Sequence, residues 1–105
     1  FAPNGQLYIS DGYGNARILV YTPDGKFVRE WGSPGNGPGQ FKQPHGIAID
    51  EQGIVYVADR QNGRVQRFDL QGKFLGEWNL GMVAGVTYGK GSLWIGTQRM
   101  EDNTS

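Results

Sequence analysis

The segment running from Leu7-Tyr8-Ile9-Ser10-Asp11 through Arg17-Ile18 and Gly25-Lys26-Phe27 to Glu30-Trp31 comes back as Val55-Tyr56-Val57-Ala58-Asp59, Arg64-Val65, Gly72-Lys73-Phe74 and Glu77-Trp78. Trp31 to Trp78 is 47 positions, and so is Phe27 to Phe74. Tyr8 to Tyr56 is 48, because the loop from Asp11 to Arg17 holds one residue more than the loop from Asp59 to Arg64. A fixed period of this length, built from short apolar segments, is the mark of propeller blades. A closed propeller takes about 4–8 blades, whereas 105 residues at this period supply just over two. The chain is expected to be a portion of a larger ring or to close one by joining copies of itself.

The pattern inside each period reads as antiparallel strands. Leu7 to Ser10, Arg17 to Tyr21 and Lys26 to Trp31 are rich in β-branched and aromatic residues and are set apart by Gly, Asn, Asp and Pro. They are assigned as strands two to four of a first blade over residues 1–32. Asp24-Gly25 after Pro23 marks a tight hairpin between the last two. A complete second blade is assigned to residues 41–79, with strands Gly46 to Asp50, Ile54 to Ala58, Arg64 to Phe68 and Lys73 to Trp78. The Gly/Pro segment Gly32 to Phe41 is read as the connection between blades, because the pattern resumes in step after it. A third blade begins over residues 80–98, with Trp94 where Tyr8 and Tyr56 stand, and the tail 99–105 carries no strand pattern and is expected to fray. The fold class is thus all-β: a propeller portion with four-stranded antiparallel blades. Trp31, Trp78, Phe27, Phe74, Tyr8, Tyr56 and Trp94 recur at blade spacing and are expected to form the core between blades.

Composition removes several functional classes. Ten acidic and ten basic residues cancel, so no charge excess draws the chain to nucleic acid or to an anionic membrane. No apolar run reaches the roughly 18–20 residues of a membrane span, and Phe1-Ala2-Pro3-Asn4 lacks a signal-peptide profile, so the chain as given reads as soluble. Cysteine is absent, which rules out disulfides and thiolate chemistry. The 18 glycines sit between apolar segments and read as turn residues.

The run Gly39-Gln40-Phe41-Lys42-Gln43-Pro44-His45-Gly46-Ile47-Ala48-Ile49-Asp50, followed by Val55-Tyr56-Val57-Ala58-Asp59-Arg60 and Asn62-Gly63-Arg64-Val65-Gln66-Arg67-Phe68, resembles an NHL repeat. That resemblance implies six blades, of which this chain supplies about two. Ser10-Asp11-Gly12-Tyr13-Gly14-Asn15-Ala16-Arg17-Ile18, Pro44-His45 and Ala58-Asp59-Arg60 are further similar to the amidating lyases that cleave peptidyl-α-hydroxyglycine to a peptide amide and glyoxylate. The resemblance implies Tyr13 as catalytic base, Arg60 as a residue that binds substrate and orients the Tyr, and His45 as one of three zinc ligands. It also makes an extracellular or secretory setting the family expectation.

The same residues have plainer readings. Tyr13 can be a packed loop aromatic, although its loop departs from the repeat by one inserted residue, and such departures often mark function. Arg60 can be a surface arginine, although Gly12 stands in its place in the first copy. His45 is the only histidine, and catalytic zinc takes about three protein ligands, so this chain alone does not complete such a site. Three copies around an axis would bring three His45 side chains toward one point. Asp11, Asn15 and Arg17 recur as Asp59, Asn62 and Arg64, and recurrence in both copies points to a structural task, the tying of strands or blades by charge-assisted hydrogen bonds. The partners considered are the remaining blades or further copies of the chain, and a peptide substrate or a bound protein. A propeller that only presents a binding or scaffold surface is the alternative to the enzyme, since a fold does not fix a function.

Overall fold

The computed structural model describes residues 2–12, 16–81 and 83–97. Strands β1 (Leu7–Asp11), β2 (Arg17–Tyr21) and β3 (Phe27–Trp31) form a first antiparallel sheet in that order. The connection that follows folds back on itself, with β4 (Ser33–Pro34) pairing in parallel with β5 (Gln40–Phe41). Strands β6 (Pro44–Ile49), β7 (Val55–Asp59), β8 (Arg64–Phe68) and β9 (Phe74–Asn79) make a complete four-stranded blade. A hairpin of β10 (Val83–Gly89) and β11 (Ser92–Thr97) opens the third.

Burial follows from how many neighbours each sheet has. In β2 buried and half-buried residues alternate, the pattern of a sheet covered on one face. In β7 and β8 four of five residues are buried, because this middle blade is covered on both faces. One core lies between the first and second blades and gathers Tyr8, Ile18, Val20, Phe41, Val55, Val57 and Phe68, with Trp31 and Phe74 packed against it. The other, between the second and third blades, holds Ala48, Ala58, Val65, Val83 and Val86.

The seven recurring aromatics do not share one fate. Tyr8 is buried and Trp31 meets both Tyr8 and Phe68 ring to ring. Phe27, Trp78 and Trp94 are instead exposed, by 56%, 36% and 67%, which corrects the expectation that all seven are core. The physical reason is positional: Trp78 and Trp94 stand where the hairpin of a following blade covers Trp31 and Tyr8, Phe27 belongs to such a hairpin itself, and among the described residues neither a following hairpin nor a preceding blade lies beside them.

Candidate functional site

Three chain segments converge at one end of the first two blades. Strand β6 starts there with Pro44, whose Cα partner is Asp59 at the end of β7. The register then slips between Pro44 and Gly46, so that His45 is the extra residue of a β-bulge, a device that re-aims a side chain and is over-represented beside active sites. His45 is exposed. Gln43, just before the bulge, has φ +65°, a left-handed conformation that is uncommon for a residue other than glycine. It is held by Gln61, whose Nε2 donates to Gln43 Oε1 at 3.0 Å, while the Gln61 amide donates to the Lys42 carbonyl at 3.2 Å.

Gly12, at the end of the first blade's β1, closes the arrangement. A Cβ added there would collide with the Pro44 carbonyl oxygen, so only glycine lets the first-blade loop lie against the start of β6. Together Ser10, Gly12, Gln43, Pro44 and His45 line a hollow of about 200 Å³. Tyr13 follows Gly12 in sequence but lies outside the described residues. Arg60 opens a three-residue 3₁₀ turn, Arg60–Asn62, directly after Asp59, and is half-buried. The turn ends on Gly63 at φ +67°, the left-handed cap that glycine favours.

Beneath this end lies a buried polar cluster. Asp59 is fully buried and its Oδ2 accepts from Arg64 Nε (2.8 Å), Asn62 Nδ2 (2.8 Å) and Gln66 Nε2 (3.2 Å), while Oδ1 accepts from the Lys42 amide (2.7 Å). Arg64 uses its remaining donors on the connection between blades: Nη1 to the Asn36 carbonyl (3.0 Å) and to Glu77 Oε1 (2.8 Å), Nη2 to the carbonyls of Gly37 (2.9 Å) and Gln40 (2.7 Å). Gln66 donates to the Gln40 carbonyl at 2.7 Å and accepts from the Gly39 amide at 2.9 Å. Asn62 donates to the Gly35 carbonyl at 2.9 Å. In the second copy Asp59, Asn62 and Arg64 therefore fasten the connection in place. The sequence marks the motif but does not show that its target is the main chain of the Gly/Pro segment.

The zinc implied by resemblance can be weighed against this donor set. Among the described residues no group of three or more His, Cys, Asp or Glu side chains stands close enough together to hold a metal ion. His45 offers one imidazole, and the nearby Asp59 carboxylate is committed to four donors. The described residues do not fit a complete catalytic zinc site, which needs about three protein ligands.

A family model described as DUF5128, a 6-bladed β-propeller, matches residues 2–105. Peptidylglycine α-amidating monooxygenase of Rattus norvegicus is 45% identical over 74 residues, covering 66% of this chain and 8% of that protein. NHL repeat-containing protein 3 of Homo sapiens is 42% identical over 78 residues, 71% of this chain and 22% of that protein. A probable peptidyl-α-hydroxyglycine α-amidating lyase of Caenorhabditis elegans is 40% identical over 70 residues, covering 64% and 20%. The chain thus spans less than a quarter of the length of each of these relatives. Among solved structures, virginiamycin B lyase of Staphylococcus aureus superposes with TM-score 0.70 at 27% identity, over 90% of this chain and 32% of that one.

Proposed function

The chain belongs to the DUF5128 six-bladed β-propeller family, and we propose that it forms part of the substrate face of a lyase acting on peptidyl-α-hydroxyglycine. The observation that carries this reading is the convergence of Gly12 and Pro44-His45 around a hollow of about 200 Å³, with Asp59, which pairs with Pro44, and Arg60 after it at the same end of the second blade. A relative named as a probable amidating lyase shares 40% identity with this chain over 70 residues, and one named as an amidating monooxygenase shares 45% over 74.

In that reaction the hydroxyl proton leaves, the Cα–N bond breaks, the carbonyl of glyoxylate forms, and the proton finishes on the amide nitrogen of the departing peptide. A phenolate is a suitable base when a cation beside it lowers its pKa. Tyr13 is assigned that task, with Arg60 as the cation and as the partner of the substrate carboxylate, which a guanidinium can grip through two parallel hydrogen bonds. His45 is assigned one ligand position of a zinc ion whose other ligands lie outside this chain, so no step is routed through the metal here.

The reading is tested by nuclear magnetic resonance titration of the chain with α-hydroxyhippurate, a minimal N-acyl-α-hydroxyglycine. Shifts confined to Gly12, Gln43, His45 and Arg60, weakened about tenfold by Arg60→Ala, are expected for loss of one charged hydrogen-bonded contact. Absence of shifts, or binding indifferent to Arg60→Ala, would leave the second reading ahead: a propeller that presents a protein-binding surface. The 42% identity to an NHL repeat-containing protein favours that second reading.

A further inference from the structure

The chain carries both halves of one blade-to-blade joint, and among the described residues neither half has its mate beside it. The joint is seen complete between the first two blades. There the hairpin from Phe68 to Phe74 caps Trp31: a Cβ on Gly72 would stand 2.8 Å from the Trp31 ring, and the Phe68 ring lies 5.4 Å from it. The Leu70 carbonyl in that hairpin accepts from Tyr8 Oη at 2.9 Å and from Arg29 Nη1 at 3.0 Å.

The first blade owns the same hairpin, uncovered. Tyr21 and Phe27 meet edge to face at 5.9 Å and 77°, as Phe68 and Phe74 do at 5.9 Å and 72°. Gly25 has φ +91° against +93° for Gly72, and the turns close with matching bonds, Gly25 N to the Thr22 carbonyl and Gly72 N to the Asp69 carbonyl. Yet a Cβ on Gly25 would meet nothing within 4 Å, and Phe27 is 56% exposed. The second blade in turn owns the uncapped tryptophan. Trp78 stacks on Tyr56 at 5.9 Å and lies under the Arg67 guanidinium at 5.0 Å, both from its own sheet, and 36% of it stays exposed.

We propose that the hairpin from Tyr21 to Phe27 of one copy seats on Trp78 of a second copy, with Gly25 against the indole as Gly72 lies against Trp31. The contact is head to tail, so successive copies add in one direction and can close a ring. The incoming β2 already carries β1 on the edge that would face β11, so one of these two strands must leave. Tyr8 of β1 is buried whereas Trp94 of β11 is 67% exposed, so β11 yields and β10 takes the incoming β1, β2 and β3 as its blade. Each copy then gives eight long strands among the described residues, two blades of four, and three copies make the six of the family.

Sedimentation of the full chain over a range of concentrations tests this, with hydrogen exchange on the associated form. The wild type should associate to a trimer in which Ser92–Thr97 lose protection. Gly25→Asn should weaken association about tenfold or more, because asparagine tolerates the left-handed turn while its Cβ blocks the indole. Trp78→Ser should do the same. Gly5→Asn, at φ +81° with open space around it, should change nothing. A wild type that stays monomeric, Gly25→Asn and Gly5→Asn proteins that associate alike, or retained protection of Ser92–Thr97 would each overturn the proposal.

Discussion

Arg17 and Arg64 occupy the same place in two copies of one motif, and they live in different media. Arg64 is 6% exposed; it binds a buried aspartate, a glutamate and three carbonyls of the connection between blades. Arg17 pairs with Asp11 at 3.0 Å and with Glu30 at 3.2 Å, yet its side chain is 40% exposed. The residues match and the environments do not, because the second site is closed by a Gly/Pro segment laid over it. The ion pair by itself is a surface pair of little value; the returning main chain turns it into a fastening.

The largest test of that contrast removes the acid from each site. Asp59→Asn takes from the buried Arg64 guanidinium the fully buried one of its two carboxylate partners, leaving only the partly exposed Glu77, and should cost about 3 kcal/mol, read as a shift in the urea midpoint. Asp11→Asn should hardly move it. If the two substitutions cost the same, burial is not what separates the sites.

The hairpin glycines offer the second test. Gly25→Ala should cost about 1–2 kcal/mol for a left-handed alanine, and Gly72→Ala about 1–3 kcal/mol more for pressing a methyl onto Trp31. Equal losses in urea unfolding at a dilution where the chain is monomeric would remove Gly72 from the joint.

Gln66→Leu gives the second copy the residue that Leu19 supplies in the first. It strips the Gly39 amide and the Gln40 carbonyl of a partner and should cost about 1–3 kcal/mol. Faster amide exchange at Gly39 is the local readout.

The smallest effect is alkaline. Burial, and then the hydrogen bond to Asp50, raise the pKa of Tyr56 above its ordinary value. The folded state therefore holds that proton longer than the unfolded chain, so this contribution is whole below about pH 10 and is lost as pH rises through the folded pKa. Tyr56→Phe should flatten the fall of stability above about pH 10, followed by urea unfolding at a series of pH values.

Strands and hairpins were legible because each period states its own turns: Asp24-Gly25 and Gln71-Gly72 punctuate the same apolar pair. The task of Asp59 and Arg64 could be guessed from recurrence alone. The uncovered state of Phe27, Trp78 and Trp94 could not, since coverage belongs to the neighbouring blade and leaves no mark on the residue itself. Nor could the left-handed Gln43 and the bulge at His45, because Pro44 after Gln43 points to an extended backbone there, and the second is a relation between two strands. Of the three residues implied by family resemblance, His45 and Arg60 flank the paired positions Pro44 and Asp59, while Tyr13 lies outside the described residues.

Arg64, Gln66 and Asn62 hold the connection by its carbonyls and one amide, at Gly35, Asn36, Gly37, Gly39 and Gln40, and these hydrogen bonds all end on main-chain atoms. A grip of that kind is blind to the side chains that point away from it, although Gly32 and Gly35, where a Cβ would meet the Ala16 carbonyl and the Gln40 side chain, are fixed. Exposed Ser33, Asn36 and Pro38 can be exchanged for other residues while the clasp beneath stays shut. The outward side of the connection is therefore open to drifting surface chemistry at those three positions, with the blades underneath indifferent to what it displays.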